Sequence, residues 1–167
     1  AHYLFEYGLP AVKKLFGNEF FSYWPDLVAL GQAAGENAHY LFEYGLPAVK
    51  KLFGNEFFSY WPDLVALGQA AGENAHYLFE YGLPAVKKLF GNKFFSYWPD
   101  LVALGQAAGG NAYYLFEYGL PAVKKLFGNK FFSYWPDLVA LGQAAGGNAY
   151  YLFEYGLPAV KKLFGNK

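Results

Sequence analysis

Apolar residues recur at helical spacing in several short stretches of the chain. Near the N-terminus, Leu27 and Leu30 lie three residues apart, as on one face of an α-helix. Pro25 fits the first turn of such a helix, where its missing N–H is not needed, and Gly35 is placed to end it. The pattern predicts a helix over Trp24 to Ala34.

Two further helices are predicted directly after the first. Asn37 is a suitable N-cap for a short helix over Ala38 to Tyr44, which Gly45 would end. Pro47 cannot continue that helix comfortably but can open another one over 47–53. The unit is therefore expected to contain three helices, each connected to the next by a glycine-containing turn.

The aromatic stretches 19–24 and 39–42 leave β structure open as an alternative, since aromatic residues favour strands. The helical spacing and the alanine, leucine and lysine content of the other stretches favour helices. Helices this short are marginal alone in water, so their stability is expected to come from packing between units. The aromatic residues exceed what that packing needs, and we expect some of them to form exposed stripes.

The whole chain consists of several near-identical copies of one short sequence. The segment that begins at Ala1 returns at Ala38, Ala75, Ala112 and Ala149, a period of 37 residues, in the range of helical repeat proteins. We interpret residues 1–167 as a single array. It consists of a partial repeat, 1–19, and the repeats 20–56, 57–93, 94–130 and 131–167.

Three columns of the repeat vary, and each changes once along the chain. In the first column histidine becomes tyrosine, as His2, His39, His76, Tyr113 and Tyr150. In the second, glutamate becomes lysine, as Glu19, Glu56, Lys93, Lys130 and Lys167. In the third, glutamate becomes glycine, as Glu36, Glu73, Gly110 and Gly147. Residues 1–92 hold six lysines and nine acidic residues, net −3, whereas residues 93–167 hold seven lysines and four acidic residues, net +3. The chain is neutral as a whole but polar end to end.

Composition excludes several classes of function. Apolar residues make up 55% and aromatic residues 23%, too much for a disordered chain, yet no stretch has the length of a membrane span. The absence of cysteine excludes disulfides and thiolate metal sites. Zero net charge and the absence of arginine argue against nucleic-acid binding.

The order of several landmarks resembles a known repeat family. They are Gly45-Leu46-Pro47-Ala48-Val49-Lys50-Lys51-Leu52-Phe53, then Ala66-Leu67-Gly68-Gln69-Ala70-Ala71-Gly72, and then Asn74. They resemble the armadillo repeat, a close relative of the HEAT repeat. The resemblance implies an all-α fold, a right-handed α-solenoid of armadillo/HEAT type with three helices per 37-residue repeat and about four and a half repeats. A weaker resemblance, to transcription-activator-like effector repeats, implies nucleic-acid binding, against which the charge argues.

In the peptide-binding armadillo members, an asparagine of the third helix holds the backbone of an extended peptide. The positions that match it here are Gln32, Gln69, Gln106 and Gln143. Stacked at a fixed rise, these glutamines offer a ladder of donors and acceptors, and one tryptophan per repeat offers a stacking face. The candidate ligand-binding residues are therefore those four glutamines with Trp24, Trp61, Trp98 and Trp135. The alternatives are packing between repeats for the tryptophans and bonding to nearby backbone or to the next glutamine for the glutamines.

No arrangement of residues indicates catalysis. The histidines come once per repeat, too far apart to share a metal ion, and they disappear where the serines persist. The glycine pair at 109–110 lacks the ending of a phosphate-binding loop. Exposed ion pairs are expected between Glu43 and Lys50 or Lys51, and with Asp63 of the next repeat.

We expect a non-enzymatic structural or interaction scaffold, without a cofactor, that self-associates into a homo-oligomer or filament. One alternative is a binding module that holds an extended peptide or a glycan on the concave face. Another is an engineered array of consensus-like copies with no natural ligand. The sequence predicts no compartment.

Overall fold

A computed structural model describes residues 3–164, and all regular secondary structure in that range is helical. The predicted all-α class is confirmed. No strand occurs within residues 3–164, and the aromatic stretches 19–24 and 39–42 are helical or turn structure. His2 and Lys167, with the outer ends of the predicted units 1–19 and 131–167, lie outside the described residues.

The helices repeat with the sequence. The α-helices are α1 (Leu9–Phe16), α2 (Trp24–Ala34), α3 (Ala38–Tyr40), α4 (Leu46–Phe53), α5 (Trp61–Ala71), α6 (Ala75–Tyr77), α7 (Leu83–Phe90), α8 (Trp98–Ala108), α9 (Ala112–Tyr114), α10 (Leu120–Phe127), α11 (Trp135–Ala145), α12 (Ala149–Tyr151) and α13 (Leu157–Phe164). Short 3₁₀ turns follow the longer α-helices, at Gly17–Glu19, Gly35–Asn37, Gly54–Glu56, Gly72–Asn74, Gly91–Lys93, Gly109–Asn111, Gly128–Lys130 and Gly146–Asn148. Five π-helical segments complete the set, at Leu4–Gly8, Leu41–Gly45, Leu78–Gly82, Leu115–Gly119 and Leu152–Gly156.

Helix α2 has the predicted limits. It begins at Trp24, with Pro25 in its first turn and Asp26 beside it, where a negative charge favours the positive end of the helix dipole. It ends at Ala34 because Gly35 has φ +58°, a conformation that side-chain-bearing residues rarely adopt.

The second half of each repeat is more continuous than predicted. Gly45 was expected to end the short helix, but its φ of −67° and ψ of −54° are helical, so α3 leads through the π-helical segment into α4. The widened turn has a local cause. Pro47 has no N–H and its ring crowds the carbonyl four residues before it, and the N–H of Leu46 bonds the carbonyl of Leu41, five residues before it.

Equivalent helices of neighbouring repeats pack side by side in two series. One series runs from α2 through α5 and α8 to α11, and the other from α1 through α4, α7 and α10 to α13. The buried apolar side chains form one continuous cluster along both series, from Val12 to Phe153. The prediction that the units stabilise one another by packing agrees with this arrangement.

One glycine in each long helix marks the closest approach between repeats. A Cβ at Gly68 would overlap the side chain of Leu30, and a Cβ at Gly105 would overlap that of Leu67. The small residue therefore lets α5 and α8 approach their neighbours at these points. A Cβ at Gly142 would overlap Leu104 in the same way, so the contact recurs at each junction between neighbouring long helices from α2 to α11.

Candidate functional site

The tryptophans lie between repeats. Trp61, Trp98 and Trp135 are only 1% exposed, and the indole N–H of each donates a hydrogen bond to the aspartate of the preceding repeat. The bonds to Asp26, Asp63 and Asp100 are 2.8 to 2.9 Å long. Trp24 has no long helix packed before it in the described range and is 40% exposed.

Phenylalanine rings enclose the buried tryptophans. The ring of Phe53 meets that of Trp98 edge-on, at 5.2 Å between centroids and an angle of 76°, and Phe94 lies 5.4 Å from the same indole. Equivalent contacts surround Trp61 and Trp135. These three indoles have no open face, which favours the packing interpretation of the tryptophan column over stacking on a ligand.

The glutamines, in contrast, face solvent. All four positions are exposed on the long helices, and no side-chain hydrogen bond of these residues occurs within residues 3–164; they are Gln32, Gln69, Gln106 and Gln143. Because α2, α5, α8 and α11 pack side by side, the four glutamines form a row along the array. Their amides are therefore available to a ligand.

One asparagine in each repeat makes a hydrogen bond to the next repeat that the sequence did not reveal. Asn37 precedes α3 as predicted but makes no side-chain cap hydrogen bond. Its amide nitrogen donates instead to the carbonyl oxygen of Glu73 in the next repeat, at 2.9 Å. Asn74 and Asn111 make the same bond to Gly110 and Gly147. The predicted N-cap is thus a connector between repeats.

The expected exposed aromatic stripes are confirmed: Phe21, Phe58 and Phe95 are exposed at one position of the repeat, and a longer stripe consists of tyrosines. Ten tyrosines of the π-helical segments and the short helices before them are 41 to 60% exposed: Tyr3, Tyr7, Tyr40, Tyr44, Tyr77, Tyr81, Tyr114, Tyr118, Tyr151 and Tyr155. Together with the glutamates Glu43, Glu80 and Glu117 between them, they are here named the tyrosine–glutamate row. The four-residue interval between the two tyrosines of each repeat is the sequence signal that could have identified it.

Ring contacts connect this row from one repeat to the next. Tyr40 lies 5.5 Å from His76, and His76 lies 4.0 Å from Tyr77, between ring centroids. The path continues from Tyr77 to Tyr113 at 5.4 Å and on to Tyr114 at 5.0 Å. The histidine column thus belongs to an aromatic stack, and tyrosine takes its place there in the second half of the chain.

Open grooves lie between neighbouring repeats along the row. One, of 430 Å³, is lined by Asn37, Tyr40, Tyr44, His76, Tyr77, Glu80 and Tyr81. A second, of 540 Å³, is lined by Tyr3, Tyr7, His39, Tyr40, Glu43 and Tyr44. Each groove combines aromatic rings with one carboxylate, and no lysine lines either of them.

The electrostatics of the row reflect the carboxylates and burial. A hydrogen bond with the Glu43 carboxylate raises the pKa of Tyr44, and Glu80 raises the pKa of Tyr81 in the same way. Burial lowers the pKa of His76, which favours its neutral form. A hydrogen bond with Tyr151 raises the pKa of Tyr150 to about 12.

Two polar atoms, one in the row and one beside it, are buried without a hydrogen-bond partner within residues 3–164. They are Nδ1 of His76, a residue that is 7% exposed, and Oε1 of Glu117. Buried polar atoms are usually satisfied by protein or water, so these two atoms are exceptions within the described range.

The expected ion pairs do not form. Among residues 3–164 no lysine lies within 4.0 Å of a carboxylate oxygen, and Asp63 is bonded to the indole of Trp98 instead. The described part of the chain also holds no group of three or more residues of metal-ligand type. No helix in it combines the length and apolar character needed to cross a bilayer.

Comparison of this chain with family models, with curated proteins and with solved structures finds no match.

Proposed function

We propose that this chain is a non-enzymatic interaction scaffold whose stacked helical repeats self-associate into a larger assembly. Its architecture is that of a right-handed α-solenoid of armadillo/HEAT type. The side-by-side packing of equivalent helices supports that architecture, as do the landmarks that resemble the family. No cofactor takes part.

The observation that carries the proposal is the tyrosine–glutamate row. Large exposed aromatic patches are rare on monomeric proteins and mark interaction surfaces. Here ten tyrosines, each more than 40% exposed, follow one another along the array, and the rings of the histidine and tyrosine column connect them from repeat to repeat. Zero net charge adds no long-range repulsion between copies.

A row also multiplies weak contacts. Each repeat presents the same groups at the same place, so two arrays that touch at one repeat can touch at the next in register. Several weak contacts on one rigid body act together and bind far more tightly than any one of them. This favours assembly by the array over binding by a single repeat.

The test is sedimentation velocity of the wild-type chain over a wide concentration range. We expect species larger than the monomer at high concentration. Replacing Tyr77 and Tyr114 by serine is expected to return the chain to the monomer with an unchanged helical spectrum. Replacing Gln69 and Gln106 by alanine is the matched control outside the row and is expected to leave assembly unchanged. A wild-type chain that stays monomeric at every concentration contradicts the proposal.

A second candidate function rests on the exposed glutamine row. Four amides without side-chain hydrogen bonds within residues 3–164 can grip the backbone of an extended peptide or the hydroxyl groups of a glycan. A panel of extended peptides and soluble oligosaccharides then identifies a ligand. Replacing Gln69 and Gln106 by alanine is expected to weaken its binding, whereas the Tyr77 and Tyr114 variant retains it. Equal affinity of the glutamine variant and the wild type contradicts this role.

A further inference from the structure

A row of positive charge also runs along the array, on the α-helices that follow the π-helical segments in the sequence. Each repeat carries a pair of lysines on the α-helix that follows its π-helical segment. The second lysine of the pair is exposed in every copy, at Lys14 and Lys162 near the ends and, in three successive repeats between them, at Lys51, Lys88 and Lys125. These three residues are here named the lysine row. None of them lies within 4.0 Å of a carboxylate oxygen in the described part of the chain. Their charges are not neutralised by a carboxylate within residues 3–164.

The grooves of the tyrosine–glutamate row have the chemistry that receives an ammonium group. Tyrosine faces attract a cation, and a carboxylate accepts a short, charge-assisted hydrogen bond from it. Within residues 3–164 a lysine already lies over an aromatic ring, where Nζ of Lys93 is 4.3 Å from the ring centroid of Phe132.

We infer that the lysine row of one copy docks on the tyrosine–glutamate row of a second copy of this chain. The occupant is a second copy because both rows have the same period of 37 residues, so a lysine and a groove that meet in one repeat also meet in the next. The signs of the two rows are opposite, and each copy carries both. This assignment rests on the proposed self-association and names the two surfaces that produce it.

The experiment uses two charge-neutral variants of the whole chain. The lysine-row variant carries Lys51→Gln, Lys88→Gln and Lys125→Gln, and the glutamate-row variant carries Glu43→Gln, Glu80→Gln and Glu117→Gln. Glutamine retains most of the side chain and removes the charge. A matched control, with Glu19→Gln, Glu36→Gln and Glu56→Gln, changes the net charge as much as the glutamate-row variant does but at exposed residues outside the row. Circular dichroism checks that all three keep the helical spectrum.

Sedimentation velocity of each variant alone and of the two mixed gives the answer. We expect each row variant alone to bind itself at least about tenfold more weakly than the wild type, because several contacts are lost together. The control variant is expected to assemble like the wild type. An equal mixture of the two row variants is expected to form pairs, since an intact lysine row then faces an intact tyrosine–glutamate row. The mixture is not expected to polymerise, because neither partner retains both complete rows.

The outcomes separate this inference from the proposed function. A monomeric wild type removes the proposed function and the inference together. If the wild type assembles and the row variants assemble equally well, the inference is overturned and the proposed function is retained. Row variants that are monomeric both alone and when mixed also overturn it, since the two rows then do not face each other.

Discussion

Trp24 and Trp98 occupy the same position of the repeat, and their side chains have different surroundings. Trp98 is 1% exposed and bonds Asp63 of the repeat before it, whereas Trp24 is 40% exposed and makes no such bond within residues 3–164. The two residues share their local sequence, Ser-Tyr-Trp-Pro-Asp. The difference comes entirely from the neighbouring repeat.

The glycines of the long helices show the same contrast. A Cβ at Gly105 would overlap Leu67, whereas a Cβ at Gly31 would have Phe42 Cζ as its nearest neighbour at 3.5 Å. Residues at the same position of the repeat therefore contribute differently to the stability of the chain. Its contribution depends on whether a copy of the repeat is packed against it, as in other linear arrays in which stability is a sum of repeat and interface terms.

The largest expected effect of this contrast is at the tryptophans. We expect Trp98→Ala to lower the free energy of unfolding by about 3 to 5 kcal/mol, because it opens a large cavity among the phenylalanines and leaves the Asp63 carboxylate without its donor. Trp24→Ala is the matched control and is expected to cost less, about 1 to 2 kcal/mol, since its side chain is already 40% exposed and makes no bond to an aspartate within residues 3–164. Urea denaturation followed by circular dichroism measures both. Equal losses for the two variants would show that the neighbour does not determine the contribution.

A smaller effect, of opposite sign at the two sites, is expected at the glycines. Gly105→Ala inserts a methyl group against Leu67 and is expected to destabilise the chain by about 1 to 3 kcal/mol. Gly31→Ala has room and is expected to stabilise by up to about 1 kcal/mol, the difference in helix propensity.

A double variant identifies the cause of the Gly105 effect. Leu67→Ala removes the side chain that the new methyl group meets, so Gly105→Ala is expected to be less harmful on that background than on the wild type. The same loss on both backgrounds would assign the effect to the backbone instead of to the contact.

The helix limits could be predicted because their causes are local. Pro25 and Gly35 act on the residues beside them, and α2 begins and ends where they predict. The all-α class followed from the spacing of apolar residues in the same way. Exposed aromatic stripes could also be predicted, because the chain has more aromatic residues than the contacts between helices can bury.

The contacts between repeats could not be predicted because the chain is periodic. The bond from Asn37 to Glu73 spans 36 residues and the bond from Trp61 to Asp26 spans 35, and no local pattern distinguishes either from a cap or a surface residue. A repeated sequence indicates that equivalent positions form columns, but it does not indicate which columns face the neighbouring repeat.

One helix limit was predicted wrongly for a local reason. Gly45 was expected to end a helix, yet the helix continues through it, because Pro47 widens the turn instead of breaking it.

The smallest expected effect concerns His76, which is buried at 7% exposure, and His39, which is half-buried at the same position of the preceding repeat. Burial lowers the pKa of His76 in the folded chain, so the unfolded chain binds the proton more readily. The stability that His76 contributes is therefore complete above its unfolded pKa of about 6.5 and is lost as the pH falls below that value.

His76→Tyr introduces the residue found at the equivalent position 113. It is expected to reduce the fall in unfolding free energy between about pH 7.5 and about pH 5. His39→Tyr is expected to retain that fall, because His76 is still present. If the two variants respond to pH alike, the burial imposed by the neighbouring repeat does not set the behaviour of this position.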